Sequence, residues 1–182
     1  KTARFQAFSL VIALGLGIGA PIDARADEPL DPVAQEAQQS FAAGREAMKK
    51  GELGRAVELF KHSQELKPTP GTLLNLAIVE EQLGKLTASL AHFKLALTEL
   101  PAGDDRLPVA TDAIARLTPR TPSLRIDRAV GALMNMRIKL DGAPVATSSL
   151  GTDQPLDPGT YEVVTQTPGH EDRRYEVKLV EG

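Results

Sequence analysis

Five positions of this chain recur 33 residues later in unbroken register. Gly44, Gly51, Ala56, Phe60 and Pro68 are spaced 7, 5, 4 and 8 apart, and Ala77, Gly84, Ser89, Phe93 and Pro101 repeat those spacings. Lys61 maps onto Lys94 in the same way. A period of this length marks a supersecondary unit that cannot bury its apolar face alone and must stack on its copy. The surrounding sequence is rich in Ala, Leu, Glu and Lys, so the unit is helical. The pattern predicts helices over 33–49, 54–66, 71–83 and 87–99, with a fifth near 106–117.

Each repeated residue has an expected task. Gly44 and Ala77 in the first helix of each pair, with Ala56 and Ser89 in the second, are small enough to let two antiparallel helices approach closely. Gly51 and Gly84 end the first helices, because Gly readily takes the left-handed C-terminal conformation. Phe60 and Phe93 fill the space between pairs. Pro68 and Pro101 stop the second helices. Leu107, Ala110, Ala113, Ile114 and Leu117 form one apolar face, as a capping helix would.

This small–Gly–small–aromatic–Pro order resembles the tetratricopeptide repeat over about 37–102, with Ser40 and Leu73 standing where that family carries an early aromatic. The resemblance implies a groove lined by the first helices that accepts a peptide or a partner helix. Carried over, its lining is Phe41, Arg45, Met48, Asn75, Ile78 and Gln82. Asn75 matches the place where peptide-clamping members bond the peptide backbone; their basic residues lie on a third repeat, which this chain lacks. The same six residues could equally pack on an adjoining domain.

After Thr118 the period changes. Pro119-Arg120-Thr121-Pro122 breaks the helical pattern and reads as a linker. Beyond it, Leu124 and Ile126, then Met136, Ile138 and Leu140, alternate with charged neighbours. Tyr161, Val163 and Thr165 alternate with Glu162, Val164 and Gln166, and Tyr175, Val177 and Leu179 with Glu176, Lys178 and Val180. Period two with Asp141-Gly142, Asp157-Pro158-Gly159 and Pro168-Gly169 turns predicts a small antiparallel β-sandwich. The order Ile138-Lys139-Leu140-Asp141-Gly142-Ala143-Pro144-Val145, then Leu156 to Val163, then Pro168-Gly169-His170, resembles a PEGA-type domain over about 123–181. His170 stands where that family has an aromatic. The fold class expected is therefore α then β in two domains: a short tetratricopeptide-like repeat over 37–118, the linker 119–122, and a PEGA-like sandwich over 123–182. A more generic immunoglobulin-like or carboxypeptidase-regulatory-like sandwich is the alternative.

The N-terminus reads as an address. Lys1 and Arg4 precede the apolar run Phe8–Ala20, and Ala24-Arg25-Ala26 supplies a small-x-small site. That is the pattern of a secretory signal peptide over 1–26, followed by a linker at 27–36. The alternative, a retained anchor, is disfavoured because a spanning helix needs about 20 apolar residues. The chain starts with Lys, so at least one preceding residue is expected, and continuation beyond Gly182 is plausible.

Composition removes whole classes of chemistry. There is no Cys, so disulfides, thiolate chemistry and zinc fingers are out of reach. A net charge of −3 gives no broad basic field for nucleic acid. Aromatics are 4%, so stacking platforms are scarce. His62 and His92 fall on second helices as solvated or groove-edge residues. Glu80-Glu81 is expected on a solvated or groove-edge face, and Asp104-Asp105 at the start of the fifth helix. His170-Glu171-Asp172 and Ser148-Ser149 sit in loops without a patterned partner. No phosphate loop or nucleophile elbow is present. No catalytic residue, metal or cofactor is expected, and the chain reads as a non-enzyme.

The functional expectation is an exported, non-enzymatic scaffold in the periplasm or at the surface of a Gram-negative bacterium. It would bind a protein or peptide partner of the cell envelope, with the sandwich as spacer or second docking face. It would have no nucleic-acid partner and no membrane span apart from the signal peptide. One alternative is a cell-wall or glycan-binding module, against which stands the assignment of Tyr161 and Tyr175 to core faces. The other is the periplasmic part of a longer membrane-anchored protein.

Overall fold

The computed structural model describes residues 31–129, 131 and 135–182. The expected signal peptide and the start of its linker lie outside them. Five helices come first: α1 (Pro32–Lys49), α2 (Leu53–Leu66), α3 (Pro70–Gln82), α4 (Leu86–Glu99) and α5 (Leu107–Leu117). Six antiparallel strands follow: β1 (Ser123–Arg125), β2 (Arg137–Leu140), β3 (Ala143–Pro144), β4 (Asp153–Pro155), β5 (Gly159–Gln166) and β6 (Arg173–Leu179). The chain is thus helical, then β.

The helix ends follow from local chemistry. Asp31 and Thr69 accept backbone N–H groups at the starts of α1 and α3, each just before a Pro that needs no partner of its own. Gly51 and Gly84 take φ of 74° and 73° and close α1 and α3 by the same two bonds. Glu52 N–H donates to the Ala47 carbonyl and Gly51 N–H to that of Met48; 33 residues on, Lys85 donates to Glu80 and Gly84 to Glu81. This is the Schellman arrangement, made twice.

Helix contacts depend on small residues. A Cβ on Gly44 would lie 2.8 Å from the Phe60 ring, so the ring seats itself on bare backbone. Ala56, Ala77 and Ser89 are fully buried, and the Ser89 hydroxyl donates to the Ala77 carbonyl at 2.8 Å. Two cores result. One gathers Ala47, Ala56, Val57 and Phe60 with Leu76 and Val79 of α3. The other gathers Leu73, Ala77, Leu86, Leu90 and Phe93 with Ala110, Ala113 and Leu117 of α5. α3 serves both, which is why its sequence is apolar on more than one side. α5 packs on α4 as a closing helix.

Asp104-Asp105 do not open α5. The helix starts at Leu107, and Asp104 lies ahead of it, its carboxylate accepting from the Arg106 backbone N–H and from two guanidinium nitrogens. The short side chain competes for a local turn rather than joining the helix.

In the β half one sheet has the order β3-β2-β5-β6, and β1 pairs with β4 in a second. Asp141 (φ 48°) and Gly142 (φ 80°) make the two-residue turn joining β2 to β3, since Leu140 faces Ala143. Alternation holds along β2, where Ile138 is buried. It fails twice elsewhere. Val164, expected outside, is buried; it lies in register with Lys139 and Arg174, long side chains whose stems can shelter an apolar neighbour. Tyr175, expected in the core, is 48% exposed because β6 is an edge strand and the facing sheet has only two short strands.

The segment 119–122 is bonded on both sides. Arg120 Nη1 reaches Glu81 at the end of α3 at 2.7 Å, and its Nε reaches Glu181 after β6 at 2.5 Å. Arg116 also pairs with Glu81. The Pro122 carbonyl accepts from Leu156 N–H, and the Asp157 carboxylate accepts the Thr87 N–H at 2.7 Å. Asp157 therefore caps α4, whose own N-cap residue, Lys85, has no side-chain oxygen to offer.

Candidate partner-binding surface

The six groove candidates lie on α1 and α3. Phe41 is half-buried against Phe60, ring centroids 5.7 Å apart and tilted by 55°, a favourable aromatic geometry. Met48 is half-buried on the same core, and Ile78 on the other. Arg45 and Gln82 are exposed. Asn75 is half-buried and donates its side-chain amide to the Gly71 carbonyl at 2.8 Å. One amide hydrogen is thus tied to its own helix, leaving the carbonyl oxygen and the other hydrogen for an incoming backbone. The apolar three are anchors shared between core and surface, and the charged and polar pair stands free. Phe41 also lines a hollow of about 210 Å³ with Gln38, Lys67 and Thr69, where α1 meets the α2–α3 junction.

Glu80 is not where the sequence pattern puts it, whereas His92 lies part-exposed on its second helix as expected. Glu80 is 2% exposed, and its carboxylate meets His92 Nδ1 of α4 at 2.6 Å. The correction has a source in the repeat: Glu80 occupies the place of buried Ala47, and His92 that of half-buried Leu59. A polar pair in the second unit replaces an apolar pair in the first, and the buried Glu80 carboxylate needs half-buried His92 as its partner. His62, by contrast, is exposed, its Nε2 3.0 Å from Glu36. Glu81 is drawn toward burial, which raises its carboxyl, but hydrogen bonds and charge from Arg116 and Arg120 prevail and hold it below the ordinary carboxylate value. Among the described residues no group of three or more His, Asp or Glu could hold a metal ion, and no helix is long and apolar enough to cross a membrane.

The β half offers a second surface. Leu124, Ile126, Ile138, Val163, Tyr175 and Val177 border a hollow of about 750 Å³ whose rim carries Arg125, Asp127 and Arg173. The Tyr161 hydroxyl donates to the Asp157 carbonyl at 2.7 Å and is half-buried. Burial, with the charges of Asp157 and Asp141, raises its pKa. No family model matches this chain, and no curated protein matches it.

Proposed function

We propose that this chain is an exported, non-enzymatic interaction protein, a short tetratricopeptide-like array that binds a partner peptide or helix along α1 and α3. The PEGA-like β half serves as spacer or second docking face. What supports the reading is a single feature: the same hairpin, with the same two closing bonds, made twice at an offset of 33 residues and covered at one end by α5. Stacked hairpins of this kind leave their first helices facing outward as a surface. Here that surface carries Arg45 and Gln82 beside half-exposed Phe41, Met48 and Ile78, a mixture suited to a modest, amphipathic contact. The signal-like pattern at residues 1–26 supports a partner in the cell envelope.

Photo-crosslinkers at Arg45 and Gln82, against controls at the exposed Glu58 and Lys94 of α2 and α4, test this in the native envelope. One protein captured from the first pair only is the expected result. Equal capture from all four positions overturns it. A second reading, a cell-wall or glycan module, draws on the exposure of Tyr175 beside the larger hollow. Co-sedimentation with purified peptidoglycan that is abolished by Tyr175→Ala would favour it.

A further inference from the structure

The two edges of the four-stranded sheet differ. β3 is two residues long and contains Pro144, so it cannot template another strand. β6 is seven residues long without Pro, Gly or bulge, and it pairs continuously with β5 on one side only. The backbone phase of that free edge can be read from its neighbour. Asp141 N–H donates to the Glu162 carbonyl, so Glu162 and its even-numbered fellows on β5 bond toward β2. Tyr161, Val163 and Thr165 then bond toward β6, opposite Val177, Tyr175 and Arg173. Consequently Arg174, Glu176 and Lys178 direct their N–H and carbonyl groups outward from the sheet. Tyr175 and Val180, the exposed large apolar residues of the β half among those described, both stand at this edge.

Charge selects what can be added there. An antiparallel copy of the same strand must pair residues of like phase, so its two-fold axis falls on one residue. Centred on Glu176, it would set Glu176 against itself and Arg174 against Lys178. Centred on Arg174, it would set Arg174 against itself. Centred on Tyr175, it sets Arg174 against Glu176 twice, and Lys178 against Asp172 twice. A register centred on Val177 would set Glu176 against Lys178 but leave Arg174 against apolar Val180. Only the register about Tyr175 pairs all the charges of the outward-bonding phase, Asp172, Arg174, Glu176 and Lys178, with their opposites, while Arg173 faces Val177. It also brings the two Tyr175 rings together at the closer, non-hydrogen-bonded spacing. Arg174 and Asp172 already contact Glu162 and Gln166 in their own chain, so the new pairs extend existing contacts.

We propose that the outer edge of β6 is a homodimer interface, in which a second copy of this chain adds antiparallel about Tyr175 to make one eight-stranded sheet. This goes beyond the peptide-binding reading and does not rest on it. A single strand pair is a small interface, so the dimer is concentration-dependent.

The chain has no Cys, which allows a clean test by single introduced thiols. Under mild oxidation Tyr175→Cys is expected to form a disulfide dimer, whereas Lys178→Cys, opposite Asp172 of the second copy, is not. In the Tyr175→Cys background, Glu176→Arg or Arg174→Glu alone sets like charges together and is expected to reduce crosslinking by about tenfold. Mixing these two variants restores opposite pairs and is expected to restore the crosslink, as a heterodimer. Sedimentation velocity of the unaltered protein over a concentration series is expected to show dimer. Equal crosslinking at positions 175 and 178, no recovery on mixing, or a monomer at every concentration overturns the proposal.

Discussion

Glu80 and His92 show what a single position can reveal when it is compared with its copy. The first repeat fills the equivalent places with Ala47 and Leu59, both apolar. A buried hydrogen-bonded pair is costly to break from one side and cheap to replace from both. His92→Leu alone leaves the Glu80 carboxylate buried without its partner and is expected to cost about 2–3 kcal/mol in urea unfolding. Glu80→Ala with His92→Leu together rebuilds the first repeat's chemistry and is expected to return most of that loss. If the double variant is no better than the single one, the pair is not acting as a unit. The sequence held the clue to this burial in the offset itself: an acid standing where the other copy has Ala. Hydropathy alone hid it, since Glu followed by Glu near a helix end reads as a solvated face.

At the scale of the element, the helices were the legible part. The predicted bounds fall within one residue of those observed, because Pro32, Pro70, Gly51 and Gly84 punctuate the chain by covalent geometry rather than by distant packing. Small residues at the helix contact were legible for the same reason. Ala56 is fully buried where α2 meets its neighbours, so Ala56→Leu is expected to force the pair apart at about 1–3 kcal/mol. Thermal unfolding indistinguishable from the parent would show that the contact is looser than its burial indicates. The strands were less legible. Alternation predicts a side chain's face but not whether anything covers it, and Tyr175 depends on the strand order, which no local pattern contains. Of the six groove candidates, the sequence placed all on two helices. It could not divide them into half-buried anchors on two separate cores and free polar groups, because that division depends on how α3 is shared.

The molecule as a whole is joined by ionised groups. Glu81 links α3 to Arg116 of α5 and to Arg120, and Arg120 links onward to Glu181. Because this network lowers the folded-state pKa of Glu81, its contribution is present above the ordinary carboxylate pKa and is lost as pH falls through the lowered value. Stability is therefore expected to fall with acidification across and below that range, and Glu81→Gln is expected to be weaker at neutral pH with a shallower acid limb. Equal slopes for both proteins in pH-dependent unfolding would remove Glu81 from the explanation. The Asp157 cap adds a neutral-pH link: Asp157→Ala is expected to lose about 1 kcal/mol and to increase amide exchange in the first turn of α4. If exchange changes only in the β half, the bond does not couple the halves.

That cap also sets an order of events. A polypeptide emerges from the ribosome, or through an export channel, N-terminus first, and the carboxylate that completes α4 follows the amide it receives by 70 positions. The helices that appear first must wait, with one end unfinished, for a turn that has not yet been made. The last bond at the start of α4 is thus supplied by a residue synthesised well after the helix itself.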